Sequence, residues 1–466
     1  MPQSIDPLDK GRYTRFQMQT KNKNRGFWVS RMGFVLAASG SAVGLGNIWK
    51  FPYITGQNGG GAFVLIYLTC IFLVGLPIML AEFTLGRRTN LNPVGAFKSL
   101  QPKSPWISIG FMGVLAGFLI LSFYAVVGGW TLAYIVKSVT AAVTHFTSPK
   151  EAGSFFGTFI AHSSEIIFYH ALFMGLCVAI VIKGVHGGIE RACDILMPTL
   201  VVILALLMVR SLTLPGAMEG VKFYLYPDFS KISPRVVLIA MGQAFFSLSL
   251  GMGAMLTYGS YLSSKENLTS STVYVVLFDT LIALLVGMVI FPAVFAMGLE
   301  PAEGPSLVFS VLPAVFSHMP FGSMVSIIFF VLLAIAAVTS AISLLEVVVA
   351  YFVDEQGWPR RRAVLIMGAV IFVIGVPSGL SFGALSDVQW MGMTFFDMVD
   401  NFTSNYLLPL GGMLTAIFVG WVWSAGEAQK EIERHETRFH YAAVWAFLIR
   451  YIAPVAVAIV FIAKFI

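Results

Sequence analysis

Apolar residues recur along this chain in long runs separated by short polar stretches. A helix needs about 20 such residues to cross a bilayer. Eleven runs of that kind are predicted, over residues 32–54, 61–86, 107–138, 164–183, 190–212, 234–261, 271–299, 323–353, 362–378, 399–424 and 441–465. The expected fold class is therefore an all-α polytopic membrane protein with about eleven transmembrane helices. Two runs are interrupted. The first carries GSAVGLGNIWKFP from Gly40 to Pro52, and the sixth carries Ser247-Leu248-Ser249-Leu250-Gly251-Met252-Gly253. Each glycine weakens a helix by up to ~1 kcal/mol relative to alanine. Backbone unwound at membrane depth has to be buried in protein or line a wet cavity, because lipid offers it no hydrogen bonds. Gly and Ser also mark close helix crossings, but two matched breaks with Asn47 and serines beside them favour a site. Breaks five segments apart predict a 5+5 inverted repeat with unwound helices 1 and 6, and a binding site where the repeats meet. The expected division is a cytoplasmic tail over 1–31, five-helix repeats over 32–212 and 234–424, and a cytoplasmic linker with an eleventh helix over 425–466.

Composition supports the membrane reading. Hydrophobic residues make up 57% and charged residues 11% of the chain, against about 25% charged in an average soluble domain. The opening MPQSIDPLDK lacks the short apolar core of a cleavable signal, so no processing is expected. Cys70, Cys177 and Cys193 are widely spaced in or beside apolar segments, which suits packing rather than a disulfide framework or a metal motif. Charge sets the expected sidedness. With the N-terminus inside, inner segments hold 20 of the 29 Lys and Arg residues and outer segments 8. The chain is thus expected as a multi-pass protein of the plasma (cell inner) membrane, with its N-terminus cytoplasmic and its C-terminus outside. The +6 formal charge follows from those loops, and no compact basic domain points to nucleic acid. No Ser/His/Asp or Cys/His set converges, so an enzyme is not expected.

Several long motifs in order carry a family resemblance. GSAVGLGNIWKFPYITGQNGGGAF, GLPIMLAEFTLGR, GQAFFSLSLGMGAMLTYGSY and AAVTSAISLLE together resemble the neurotransmitter:sodium symporters. The nearest branch is that of the prokaryotic amino-acid transporters, which share the leucine-transporter fold, and the likeness runs from about Arg25 to Trp423.

The resemblance implies two sodium sites. The first would use the carbonyl of Ala42 with Asn47, Ser247 and Asp279. The second would use carbonyls of Gly40, Val43 and Ala336 with the hydroxyls of Thr339 and Ser340. Ala336 and Ser340 lie one helical step of four apart and share a face. Many family members have asparagine at the position of Asp279, and a serine or glutamate one turn later where this chain has Ala283. Asp279 would thus supply covalently the negative charge that chloride supplies elsewhere, while Tyr67, Gln243 and Ser247 keep the rest of the anion shell. Chloride-independent transport is expected.

The substrate is expected to be an amino acid. Its carboxylate would meet Gly44, Leu45 and Gly46 and the hydroxyl of Tyr124; its ammonium would meet carbonyls of Ala42 and Phe246 and the hydroxyl of Ser249, beside Ser247. Ile120, Phe246, Met252, Ser340, Ser343 and Leu344 would line the side-chain pocket. Monoamine carriers of the family have aspartate at the position of Gly44, so glycine there suits a substrate with its own carboxylate. The apolar lining and an adaptable Met252 suggest hydrophobic or aromatic amino acids. Lys50 and Asp400 would form the outer charged gate above Phe246 and Tyr124. Lys50 stands where arginine is usual, and lysine offers a point charge instead of a planar fork. Arg25 and Trp28, with Asp354 as the acceptor of Arg25, would form the inner gate, and Glu82 would support the break in the first segment. The other partners expected are the bilayer and, at most, a second copy in a loose dimer. A sodium-free carrier of the same fold and a membrane amino-acid sensor are the rival readings. Asn47 with Thr339-Ser340 weighs against the first, and the short tails without a signalling domain weigh against the second.

Overall fold

The structure is a computed structural model that describes residues 26–143, 145–299, 308–434 and 438–462. Arg25, expected at the inner gate, lies outside the described residues. Eleven helical segments account for the eleven apolar runs. In chain order they are α1 (Arg31–Ala42 and Gly46–Gln57), α2 (Gly61–Thr89), α3 (Ile107–Val139), α4 (Ser163–Val181), α5 (Val185–Leu212) and α6 (Pro234–Ser247 and Ala254–Gly259). They continue as α7 (Leu268–Ala296), α8 (Gly322–Asp354), α9 (Arg360–Leu380), α10 (Phe395–Val422) and α11 (Ala442–Ile462). The largest departure from expectation is at α5, which begins at Val185 rather than at residue 190. Gly187 and Gly188 read as loop, yet they sit in a wide helical turn, Val185–Glu190, where a Cβ at Gly188 would lie 2.1 Å from the Ile180 carbonyl oxygen.

Local chemistry sets the helix ends. Ser30 caps α1 by accepting from the Gly33 N–H at 2.8 Å, and Asn267 caps α7 by accepting from Ser270 N–H at 3.0 Å. Pro234 stands at the first position of α6, where its missing N–H costs nothing. The two broken helices are held by different means. In α1 the axis bends by 47° between Ala42 and Gly46. In α6 the chain passes through left-handed backbone at Ser249, Gly251 and Gly253, with φ of 53°, 76° and 74°. Such angles suit glycine and are strained for serine. The second half of α6 crosses α2 closely enough that a Cβ on Gly86 would lie 2.1 Å from the Leu256 carbonyl oxygen.

A buried ionic hub ties the short helix after α10, Ala425–Ile432, to α2. Arg87 Nε lies 3.0 Å from Glu431 Oε1, with both side chains at most 2% exposed, and Arg88 and Arg434 approach the same carboxylate. Arg87 also donates to the Glu266 carbonyl at 2.7 Å, between α6 and α7. Removing one partner of a buried pair strands the other charge, at a cost of about 3–5 kcal/mol. The Glu431→Ala variant should therefore unfold at clearly lower denaturant or temperature in detergent, which a thermal shift measurement will show.

Candidate functional site

The two helix breaks touch each other, with α3 and α8 beside them. The break in α1 brings its backbone to Tyr124 of α3, whose hydroxyl accepts from Leu45 N–H at 3.0 Å. Ser41 O, at the inner side of the break, accepts from Ser249 Oγ of α6 at 2.8 Å and from Ser340 Oγ of α8 at 3.0 Å. These four elements surround a small cavity. Its walls hold ten of the residues named from sequence, among them Gly44, Tyr124, Phe246, Met252 and Leu344. Gly44 is required by space: a Cβ there would lie 2.3 Å from Ser340 Oγ and 2.7 Å from Tyr124 Oη. Gly46 is packed likewise, with Phe246 Cδ1 at 2.8 Å from its would-be Cβ.

Beside the cavity, Asn47, Ser247 and Asp279 form one fully buried cluster. Asn47 Nδ2 donates to Asp279 Oδ1 at 2.8 Å, and Ser247 Oγ donates to Asp279 Oδ2 at 2.9 Å. Ser247 Oγ also lies 3.3 Å from Asn47 Oδ1 and 2.9 Å from the Tyr67 hydroxyl. Gln243 Nε2 donates to the Gly46 carbonyl at 2.8 Å. This group gathers amide, hydroxyl and carboxylate oxygens where a hard monovalent cation could be held without water, and a carboxylate at such depth is costly unless it serves function.

The second group named from sequence also converges. Ser340 Oγ lies 3.3 Å from the Gly40 carbonyl, while Thr339 Oγ1 donates within its own helix to the Ile335 and Ala336 carbonyls, each at 3.1 Å. A Cβ on Gly40 would meet Thr339 Cβ at 3.2 Å, which places α1 directly on this face of α8. Val43 is out of the helix, at φ −73° and ψ 92°. Ser343 does not line the cavity; its hydroxyl accepts from Ser41 Oγ at 2.7 Å and donates to the Ser340 carbonyl at 2.7 Å. Ser41 is the cavity residue that sequence reasoning missed, although it stands as the one polar side chain inside GSAVG.

Tyr124 and Phe246 separate the cavity from a second small one, also lined by Trp49, Lys50, Tyr53 and Asp400. Lys50 and Asp400 thus share one chamber, but Lys50 Nζ sits 4.4 Å over the Phe246 ring, and Asp400 Oδ1 accepts from Ser404 Oγ at 2.8 Å. Lys50 engages the aromatic lid through its face. Where the inner gate is expected, Trp28 Nε1 donates to the Tyr258 carbonyl at 3.0 Å and its backbone N–H to the Tyr261 carbonyl at 3.2 Å. Asp354 accepts from the backbone N–H and the Nδ2 of Asn92 at 3.0 and 3.2 Å. Glu82 corrects an expectation. Its Oε1 accepts from Gly251 N–H at 2.8 Å, so it supports the break in α6, along which α2 runs, and not the break in α1.

An all-helical membrane domain with two helices broken at one buried, oxygen-lined cavity defines a secondary transporter. Residues 25–152 and 156–466 match the Sodium:neurotransmitter symporter family, and the chain belongs to it. It is 44% identical to the sodium-dependent transporter YhdH of Bacillus subtilis, over 93% of this chain and 96% of the relative. It is 27% identical to the human sodium- and chloride-dependent GABA transporter 2, over 88% of this chain and 75% of the relative. The crystal structure of MhsT in complex with L-phenylalanine superposes with a TM-score of 0.88 at 50% identity, covering 94% of this chain and all of that one.

Proposed function

We propose that the chain is a sodium-coupled symporter of hydrophobic or aromatic amino acids that works by alternating access and needs no chloride. The observation that carries this reading is the cavity at Gly44, where unwound backbone and the Tyr124 hydroxyl meet between two clusters of buried oxygens. A carboxylate placed there takes the Gly46 N–H and the Tyr124 hydroxyl, and the Leu45 N–H in exchange for its bond to Tyr124, while Ser249 and nearby carbonyls receive the ammonium. The apolar wall of Ile120, Phe246, Met252 and Leu344 takes the side chain. The binding of L-phenylalanine by MhsT supports this assignment.

Sodium is a co-substrate here. Asn47, Ser247, Asp279 and the Ala42 carbonyl would hold one ion; Gly40, Val43, Ala336, Thr339 and Ser340 would hold the other. Both use the α1 break as a wall, so ion and substrate favour the same closed arrangement and each raises the other's affinity. Chloride independence rests on the donors. Tyr67 bonds Ser247, Ser247 bonds Asp279, and Gln243 bonds Gly46, so each donor an anion would need is already committed. Rocking of α1, α2, α6 and α7 against α3, α4, α8 and α9, two inverted five-helix halves, would expose the cavity to each side in turn. The Lys and Arg bias of the loops supports a cytoplasmic N-terminus in the cell membrane.

Calorimetric titration of the purified protein with L-phenylalanine, L-leucine, glycine and L-glutamate tests the substrate class. Phenylalanine or leucine should bind in sodium and lose at least tenfold in affinity when potassium replaces it. Tight binding of glutamate, or equal affinity in potassium, would contradict the reading.

A further inference from the structure

The inner end of α1 is held from three sides. Trp28 is bonded to α6, as described, and Arg31 Nε lies 3.4 Å from Ser271 Oγ of α7, at the surface. The third hold is a carboxylate. Glu190 of α5, 3% exposed, accepts from the Val29 N–H at 3.2 Å through Oε2 and from the Ser30 N–H at 3.2 Å through Oε1. These N–H groups precede the first turn of α1, so Glu190 also meets the positive end of that helix. Gly33 makes the fit possible, since a Cβ there would lie 2.1 Å from Glu190 Oε1. His186, one turn earlier on α5, contacts Glu190 Oε2 at 3.1 Å through Nδ1 and fixes the carboxylate from its other side.

We propose that Glu190 is the latch that holds the inner half of α1 against α5, a positioning residue that sets how readily the inner path opens. This inference rests on the alternating-access reading above. For the cavity to open inward, the inner half of α1 has to leave α5. That motion breaks two charge-assisted hydrogen bonds and separates a buried carboxylate from a helix N-terminus. Ser30 Oγ, which caps Gly33, also lies 3.5 Å from Glu190 Oε1. Sodium binding at the α1 break and the Glu190 latch thus act on one rigid segment, Arg31–Ala42, from its two ends. Weakening the latch shifts the population toward the inward-open form without touching an ion ligand.

Cys193 is a native reporter of this motion. It is fully buried on α5 and lies on the face that carries Glu190 and Met197, and Met197 Sδ would lie 3.1 Å from a Cβ at Gly40. In a Cys70→Ala/Cys177→Ala background, alkylation of Cys193 by N-ethylmaleimide reads how often α1 leaves α5. A second background that keeps only Cys177, buried in α4, reads general loosening. In sodium, Glu190→Gln should raise the Cys193 rate about tenfold, the loss of a charged hydrogen-bond acceptor. Gly33→Ala should act in the same direction by displacing the carboxylate while leaving Glu190 in place. Cys177 should keep its wild-type rate in both variants. A wild-type Cys193 rate in both variants, or an equal rise at Cys177, would overturn the latch. A wild-type protein whose Cys193 labels equally fast in sodium and potassium would instead overturn the alternating-access reading.

Discussion

Asp279→Asn should reduce uptake in chloride-free medium by about 100-fold and make the remainder respond to chloride. The Asp279 carboxylate receives Asn47 Nδ2 on one oxygen and Ser247 Oγ on the other, in a cluster without solvent access. Asparagine keeps the shape but removes the negative charge opposite the ion, and an uncompensated buried charge costs about 3 kcal/mol or more. That corresponds to roughly two factors of ten in apparent sodium affinity. The substitution also frees Ser247 Oγ and, through it, the Tyr67 hydroxyl. Those are the donors an anion would use, so chloride should restore part of the loss. Restoration should improve when Ala283, one turn along α7, is changed to serine. Uptake of labelled phenylalanine in chloride and in gluconate is the measurement. Uptake by Asp279→Asn that stays independent of chloride would mean that Asp279 does not stand in for the anion.

Gly44→Ala should abolish substrate binding while the protein still folds. The added methyl carbon would lie 2.3 Å from Ser340 Oγ and 2.7 Å from Tyr124 Oη, well inside van der Waals contact. Each neighbour is committed: Ser340 Oγ donates to Ser41 O, and Tyr124 Oη accepts from Leu45 N–H. Relaxation would move the donors intended for the substrate carboxylate, and overpacking of this kind costs about 1–3 kcal/mol before any ligand is present. Phenylalanine affinity should fall by at least 100-fold, read by calorimetry, with a thermal midpoint within a few degrees of wild type. Retained affinity would place the substrate carboxylate elsewhere.

What was legible in the sequence follows from which interactions leave a local trace. The breaks in α1 and α6 were visible because glycine and serine inside an apolar run contradict a continuous span. Asp279 was visible as a lone carboxylate in such a run. Pairings across hundreds of residues left no such trace. Arg87 and Glu431 are 344 positions apart, and nothing local in the sequence pairs them. Lys50 and Asp400 were recognised as charges above the site, but the seat of Lys50 on the Phe246 ring depends on a ring orientation that no spacing encodes. Glu82 was attached to the wrong break because its partner, the Gly251 N–H, lies 169 positions away and leaves no local trace. Glu190 was hidden for a further reason. A glycine pair made α5 start late, which left that carboxylate at a boundary instead of against the end of α1.

Uptake of labelled phenylalanine into proteoliposomes, driven only by an inward sodium gradient, tests the central claim most directly. The account predicts accumulation above equilibrium that disappears when potassium replaces external sodium and persists when gluconate replaces chloride. Accumulation of equal size without sodium would contradict it.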